Sequence, residues 1–242
     1  RMMRVARLDM RHNALPKLVE RLSLLPGLAS LHMAVNPTRS SYLFDGATFK
    51  HLAGARRAIF HLGGQAFHLS PSAFFQTSYE GATLLAQTVL AMLPANIETL
   101  ADLYGGVGVF ARLSAGRWRE AVVAESNPQA VADLRAYLGQ PEAPAGLSLV
   151  EGPVEGVLPD VLAKGPDAVL LDPPRSGCAE GVISRLAGAC PEVVLYVSCH
   201  APSLARDGAN LLARGYKVDR VAAVDMFPHT HHLETVARFV AA

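Results

Sequence analysis

The sequence predicts an α/β fold, a mostly parallel seven-stranded sheet covered by helices on both faces, with a small α+β lobe at its amino-terminal end. Two observations predict it. From residue 97 onward strand-like and helix-like runs alternate, whereas the first 70 residues do not share that rhythm. Half of the 242 residues are hydrophobic and only 18% are charged, which supplies a real core and excludes a disordered chain.

The elements follow in order. The run IFHLGGQAFHL (59–69) sets Ile59, Phe67 and Leu69 around Gly63-Gly64, a hairpin signal. From Glu80 to Leu93 the apolar positions Leu85, Val89, Met92 and Leu93 fall at helical spacing, and Pro94 ends the run. Strand-like runs come at 97–103, 120–125, 147–151, 167–172, 192–198, 215–224 and 233–240, with helical runs in most of the gaps. Asn127-Pro128 starts a helix, the Asn as cap and the Pro in the first turn. The change of rhythm puts a domain boundary near residue 70, dividing a small lobe (1–70) from a doubly wound domain (71–242).

Composition excludes several classes. No apolar run approaches the ~20 residues that span a bilayer. The opening RMMRVARLDMRHN holds no apolar stretch of the signal-peptide kind. Three widely spaced cysteines, Cys178, Cys190 and Cys199, form neither a disulfide framework nor a Cys-x-x-Cys metal site, so a cytoplasmic location is expected. The net charge of +1 hides an asymmetry: residues 1–60 hold ten basic against three acidic residues, the remainder twelve against eighteen. A basic segment on an acidic body suits a polyanion, although an ordinary solvated surface reads the same way.

Several strand ends carry chemistry. In IETLADLYGGVGVFARL, Gly105, Gly106 and Gly108 stand between a strand and a helix, where backbone can close on a ligand and helix amides are free. The next strand ends in Glu125, an acid placed to accept from the ribose hydroxyls of a nucleoside cofactor. The pattern falls short of Gly-x-Gly-x-x-Gly, so Asp102, the glycines and an acid some twenty residues on suit S-adenosylmethionine better than a dinucleotide. In LLDPPRSG, Asp172 ends a strand and two prolines stiffen the loop, with Arg175 placed to meet phosphate. Cys199 ends the run VVLYVS, and a helix beginning near Pro202 is expected to lower its pKa. Cys178 lies in a loop, while Cys190, in a small-residue stretch before Pro191, has the setting of a core thiol. Glu234 is a base if buried near the site, or else a salt-bridged strand acid. His229, His231 and His232 have no Cys, Asp or Glu at ligand spacing, so no metal is expected. The bland reading of the glycine and Asp-Pro-Pro segments is a pair of tight turns.

Five segments in order resemble the RNA uracil-C5 methyltransferases, which make 5-methyluridine with S-adenosylmethionine: SPSAFFQTS (70–78), DLYGGVG (102–108), LDPPRSG (171–177), YVSCHAPSLARD (196–207) and DMFPHTHHLET (225–235). The last two look most like the branch acting on 23S ribosomal RNA. The resemblance spans most of residues 25–242 and implies a Rossmann-like class I methyltransferase fold. It implies Cys199 as nucleophile, Glu234 as base, and Gln76, Tyr104, Glu125 and Asp172 at the cofactor beside the loop residues Gly106 and Gly108. It places Phe74 or Phe75 on the extruded base, with Gln76 facing the uracil as an alternative and Arg175 toward the RNA. The family usually has Cys where Gly105 stands, Asn where Ser78 and His200 stand, and Pro at Ala201. Its amino-terminal oligonucleotide-binding barrel is not among these residues; the opening Arg1 leaves open that the chain is part of a longer one. The lobe over 1–70 is then expected to face RNA as a truncated central domain. A transfer-RNA enzyme, a cytosine-C5 enzyme and a non-catalytic RNA-binding paralogue are the alternatives. Cytosine-C5 enzymes typically put a second cysteine directly after the Asp-x-Pro turn, where Arg175 stands; a non-catalytic paralogue predicts loss of Cys199 or Glu234, and both are present.

Overall fold

The computed structural model describes residues 15–35, 48–76, 78–226, 229–230 and 233–242. Helix α1 (Leu15–Ser23) precedes an antiparallel pair, β1 (Ser30–Val35) and β2 (Thr48–Gly54), and then a hairpin of β3 (Ala58–Leu62) and β4 (Gln65–Leu69). Gly63 and Gly64 both have positive φ, 56° and 79°, as the primed turn between twisted strands requires.

Then come α2 (Tyr79–Met92), β5 (Ile97–Leu103), α3 (Val109–Leu113), β6 (Trp118–Glu125), α4 (Pro128–Leu138), β7 (Leu147–Glu151), α5 (Val154–Leu162), β8 (Ala168–Leu171), α6 (Val182–Ala189), β9 (Val193–Ser198), α7 (Ala201–Leu212), β10 (Tyr216–Val224) and β11 (Glu234–Ala241). Their strands form one seven-stranded sheet in the order β10-β11-β9-β8-β5-β6-β7. All its pairings are parallel except those of β11, which runs antiparallel to both β10 and β9. This is the Rossmann-like arrangement that the sequence predicts, and each of the seven expected strand runs is a strand.

Burial on both faces explains the unbroken apolar runs. Along β9, Val193, Leu195 and Val197 enter one core cluster, and Val194 and Tyr196 enter the other. The helices start where capping side chains stand: Ser78 accepts from the Gly81 amide, and Asn127 accepts from the amides of Gln129 and Ala130.

Two features position a site. Strand order reverses at β5: the chain moves outward through β6 and β7, then returns to the other side of β5 for β8 and β9. The crevice beyond the carboxyl ends of β5 and β8 is therefore the expected ligand position. Because β11 enters antiparallel, its first residue Glu234 lies at that same edge, with Thr235 opposite Ser198.

The hairpin is tied to this edge. The buried Asp133 carboxylate meets Arg57 at 2.8 Å and accepts from the Ser70 amide and hydroxyl at 2.6 and 2.7 Å. The Arg112 guanidinium stacks between the rings of Phe67 and Tyr137, 3.8 and 3.6 Å from their centroids. Residues 70–76 are thereby held over the crevice. No helix among the described residues is long and apolar enough to cross a membrane. One expectation needs correction: Cys190 is an exposed thiol. It caps the end of α6 in the left-handed region, φ 52°, and that turn carries it out of the core.

Candidate active site

The glycine turn after β5 is shaped by close approach. A Cβ on Gly105 would lie 2.7 Å from Val123 Cγ1 and 3.0 Å from Asp102 Cγ, so no side chain fits. Gly105 is thus the most constrained residue of the turn, beside Gly106 and Gly108, which have φ of 57° and 74°. Tyr104, a non-glycine residue, also sits in the left-handed region at φ 61°. Strain of that kind persists where the surroundings over-determine the backbone, and it clusters at functional sites.

The Glu125 carboxylate, at the end of β6, is oriented by three backbone amides. Oε2 accepts from Gly106 at 2.8 Å; Oε1 accepts from Ser126 and Asn127 at 2.7 and 2.6 Å. With two lone pairs per oxygen, Oε2 keeps room for one ligand hydroxyl. Beneath the turn, Asp102 is fully buried. Its Oδ2 accepts from the Ala111 amide at 3.1 Å, and its Oδ1 has no partner. Buried polar atoms are rarely left unpaired, so this oxygen points to a group that binds from outside the chain.

The turn opens on a cleft lined by Phe74, Phe75, Gln76, Tyr104, Gly105, Gly106 and Asp172, with Val107, Val109 and Phe110 behind. Six of the expected residues are therefore gathered here. Glu125 joins through its bond to Gly106, and Gly108 caps α3 behind the turn. Sequence reasoning missed Val107, Val109 and Phe110, whose apolar side chains carry no local sign of a ligand. The two phenylalanines divide their roles. Phe75 packs on Phe60 and Phe67, centroids 4.5 and 5.5 Å away, whereas Phe74 is 69% exposed and has a ring face to offer.

Cys199, Glu234 and Arg175 do not line this cleft. Cys199 and Glu234 interact electrostatically with each other and with Asp172, which does line it, and Arg175 acts on both Cys199 and Glu234. Burial, then the Glu234, Asp102 and Glu125 carboxyls, push the Asp172 carboxyl up to about 8. Glu234 is buried, which raises its pKa, while the Arg175 guanidinium pulls it down. The Cys199 thiol is pushed up by burial, then by Glu234 and by Asp172, against the opposing pull of Arg175. This corrects the expected lowering. Helix α7 does begin just beyond Cys199, at Ala201, but burial and two carboxyls raise the thiol. Cys178, by contrast, is a buried thiol whose pKa rises to about 12. Among the described residues no cluster of three or more His, Cys, Asp or Glu could hold a metal; His231 and His232 lie outside them.

Burial also sets a pH dependence of stability. It pushes the Asp102 carboxyl from 3.8 up to about 7, with Glu125 adding to the rise. The folded chain then holds more protons than the unfolded one between those values, so stability falls as pH rises through that window. Asp102→Asn removes the titration and keeps an acceptor for the Ala111 amide. Its Tm is expected to gain on the wild type as pH rises through that window, in calorimetric scans; parallel Tm–pH curves would contradict the burial argument.

Comparison with known proteins agrees with this geometry. A family model described as tRNA (Uracil-5-)-methyltransferase matches residues 163–239. A curated Listeria monocytogenes protein named as an uncharacterized RNA methyltransferase is 37% identical over 229 residues, 92% of this chain and 49% of the relative. A Bacillus cereus protein of the same name is 36% identical over 220 residues, 89% of this chain and 47% of the relative. The crystal structure of Pyrococcus abyssi tRNA (uracil-54, C5)-methyltransferase with S-adenosyl-L-homocysteine superposes with a TM-score of 0.73 at 30% identity, covering 88% of this chain and 51% of that one. The chain spans about half the length of the curated relatives it matches.

Proposed function

We propose that the chain, over the half of its relatives' length that it spans, is an RNA uracil-C5 methyltransferase and methylates carbon 5 of a uridine in RNA. One observation carries this reading: a thiol (Cys199), a buried carboxyl (Glu234) and a guanidinium (Arg175) interact with one another beside a glycine-turn cleft, at the sheet edge where ligands bind.

The cleft suits S-adenosylmethionine, which supplies an electrophilic methyl group when bound. Glu125 would take a ribose hydroxyl, Gln76, Tyr104 and Asp172 would line its place, and Gly106 and Gly108 would leave the turn open to it. The unpaired Asp102 oxygen and the carboxyls around it suit a cationic ligand.

Carbon 5 of uracil is a weak nucleophile. Addition of the Cys199 thiolate to carbon 6 makes the ring an enolate and gives carbon 5 carbanion character. After carbon 5 is alkylated, Glu234 removes its proton, and the carbon 6–sulfur bond breaks to release the thiolate. Arg175 favours the thiolate form before addition. The uracil has to leave its stack, which costs a few kcal/mol, and the exposed Phe74 ring can offset that by stacking.

The ribosomal RNA of the large subunit is the proposed substrate, from the likeness of segments 196–207 and 225–235. The basic lobe over 1–70 is the proposed RNA-facing part. Incubation with labelled S-adenosylmethionine and separate ribosomal and transfer RNA, followed by nucleoside mass spectrometry, tests this. 5-Methyluridine in ribosomal RNA is the expected product. 5-Methyluridine in transfer RNA alone would move the substrate, and 5-methylcytidine or no methylation would overturn the reading. Phe74→Ala is expected to weaken RNA use by roughly 5- to 150-fold in kcat/KM, the worth of ~1–3 kcal/mol of stacking per base. Phe75→Ala is expected instead to lower Tm.

A further inference from the structure

The loop that carries Arg175 is held by a residue outside the cleft. Asp207 on α7 is buried, and its carboxylate joins three segments. Oδ2 accepts from the Cys178 amide at 2.9 Å and from the Tyr196 hydroxyl at 2.7 Å. Oδ1 accepts from Arg206 Nε at 2.8 Å, with Arg206 Nη2 also 2.8 Å away. Tyr196 is fully buried on β9, the strand that ends beside Cys199, and Cys178 belongs to the loop after β8.

That loop is a stiff unit. Pro173 and Pro174 fix its entry, and the Gly177 amide donates to the Pro174 carbonyl at 2.8 Å, closing a turn around Arg175 and Ser176. Gly177 has φ 82°, and a Cβ there would stand 2.7 Å from Asp207 Oδ2, so the turn rests directly on the carboxylate. The Tyr104 hydroxyl accepts from the Ala179 amide at 3.5 Å and ties the same loop to the glycine turn.

We propose that Asp207 is a positioning residue that locks the 173–179 loop onto the β9–α7 unit, so that Arg175 stays beside Cys199 and Glu234. Resting on the reading of Cys199 as the reacting thiol, the inference assigns a function to a carboxylate that touches no substrate. A buried carboxylate with donors from a strand, a loop and its own helix ties all three together, because each lost donor leaves part of its hydrogen-bonding capacity unmet away from water.

The test reads the thiol directly. In a Cys190→Ser background, which removes the exposed thiol, the rate of iodoacetamide labelling of Cys199 is followed against pH by peptide mass. Besides burial, the charged groups that set this profile are Glu234 on β11 and Arg175 and Asp172 after β8. Asp207→Asn is expected to move the profile to higher pH by about 0.5–1 unit, as a released guanidinium ceases to favour the thiolate. Arg175→Gln is expected to do the same, and the double variant to move it no further than Arg175→Gln alone. Tyr196→Phe, which removes one donor and keeps the ring, is expected to give a smaller shift of the same sign; it carries the test if Asp207→Asn does not fold. A profile unmoved in the folded variants, even with lowered Tm, or additive shifts in the double variant, would overturn the proposal. Labelling needs neither RNA nor S-adenosylmethionine. Failure of the wild type to methylate uridine would therefore sink the proposed function and leave the Asp207 result standing.

Discussion

Cys199→Ala is expected to lower 5-methyluridine formation by at least about 10⁴-fold, because without the thiolate carbon 5 never becomes nucleophilic. The loss is expected to be chemical. Cys199 is only partly buried and belongs to neither principal core cluster, so Tm should change little. It does not line the cleft proposed for S-adenosylmethionine, so calorimetric affinity for that ligand should also hold. The decisive reagent is RNA carrying 5-fluorouridine. Fluorine replaces the proton that a base must remove, and carbon–fluorine cleavage cannot substitute for it. The wild type should therefore accumulate a protein–RNA adduct that survives denaturing gels, and Cys199→Ala should form none. Cys190→Ser, at an exposed site on the end of α6, should behave as the wild type. Methyl transfer retained by Cys199→Ala would remove the mechanism at a stroke.

Which parts of this site were legible before the structure follows from what each residue depends on. Strand β5 is read to the residue because a buried parallel strand is a short apolar run bounded by turns, a purely local pattern. The strand-end residues Glu125, Asp172 and Cys199 are legible for a related reason: in a doubly wound sheet, position along the chain determines which edge a residue reaches. What sequence position does not carry is orientation and environment. Phe74 and Phe75 are adjacent letters, and only the rings of Phe60 and Phe67, brought up by the hairpin, decide which of them is packed away. The direction of the Cys199 shift depends first on burial and then on Glu234, 35 residues away in sequence, neither of which the helix beginning two residues on foretells. Asp207 was invisible for the strongest form of that reason. Its donors, Tyr196 and the Cys178 amide, lie 11 and 29 residues off, and nothing in SLARD announces that the acid is buried.

Glu234→Gln is expected to stop the reaction later than Cys199→Ala does, with a different signature. Glutamine has nearly the same shape and fills the same place at the start of β11, so the uracil can still be bound, attacked at carbon 6 and alkylated at carbon 5. It cannot take the carbon 5 proton, and without that step the carbon 6–sulfur bond has no pair of electrons to push it apart. A covalent complex is therefore expected with ordinary uridine-containing RNA, at up to one methyl group per protein. Steady turnover should fall by about 10²–10⁴-fold, the usual worth of a positioned base. Intact mass spectrometry of the complex should show protein, RNA and one added methyl. The substitution also has an electrostatic consequence of definite sign. The Glu234 carboxylate raises the Cys199 thiol, whereas Arg175 lowers it, so neutralising position 234 leaves the guanidinium less opposed. The initial burst of adduct should thus extend to lower pH than in the wild type, even as turnover collapses. A slow enzyme with no trapped complex, with Cys199 intact, would show that the proton leaves to some other group; undiminished turnover would show that Glu234 is only a buried strand acid.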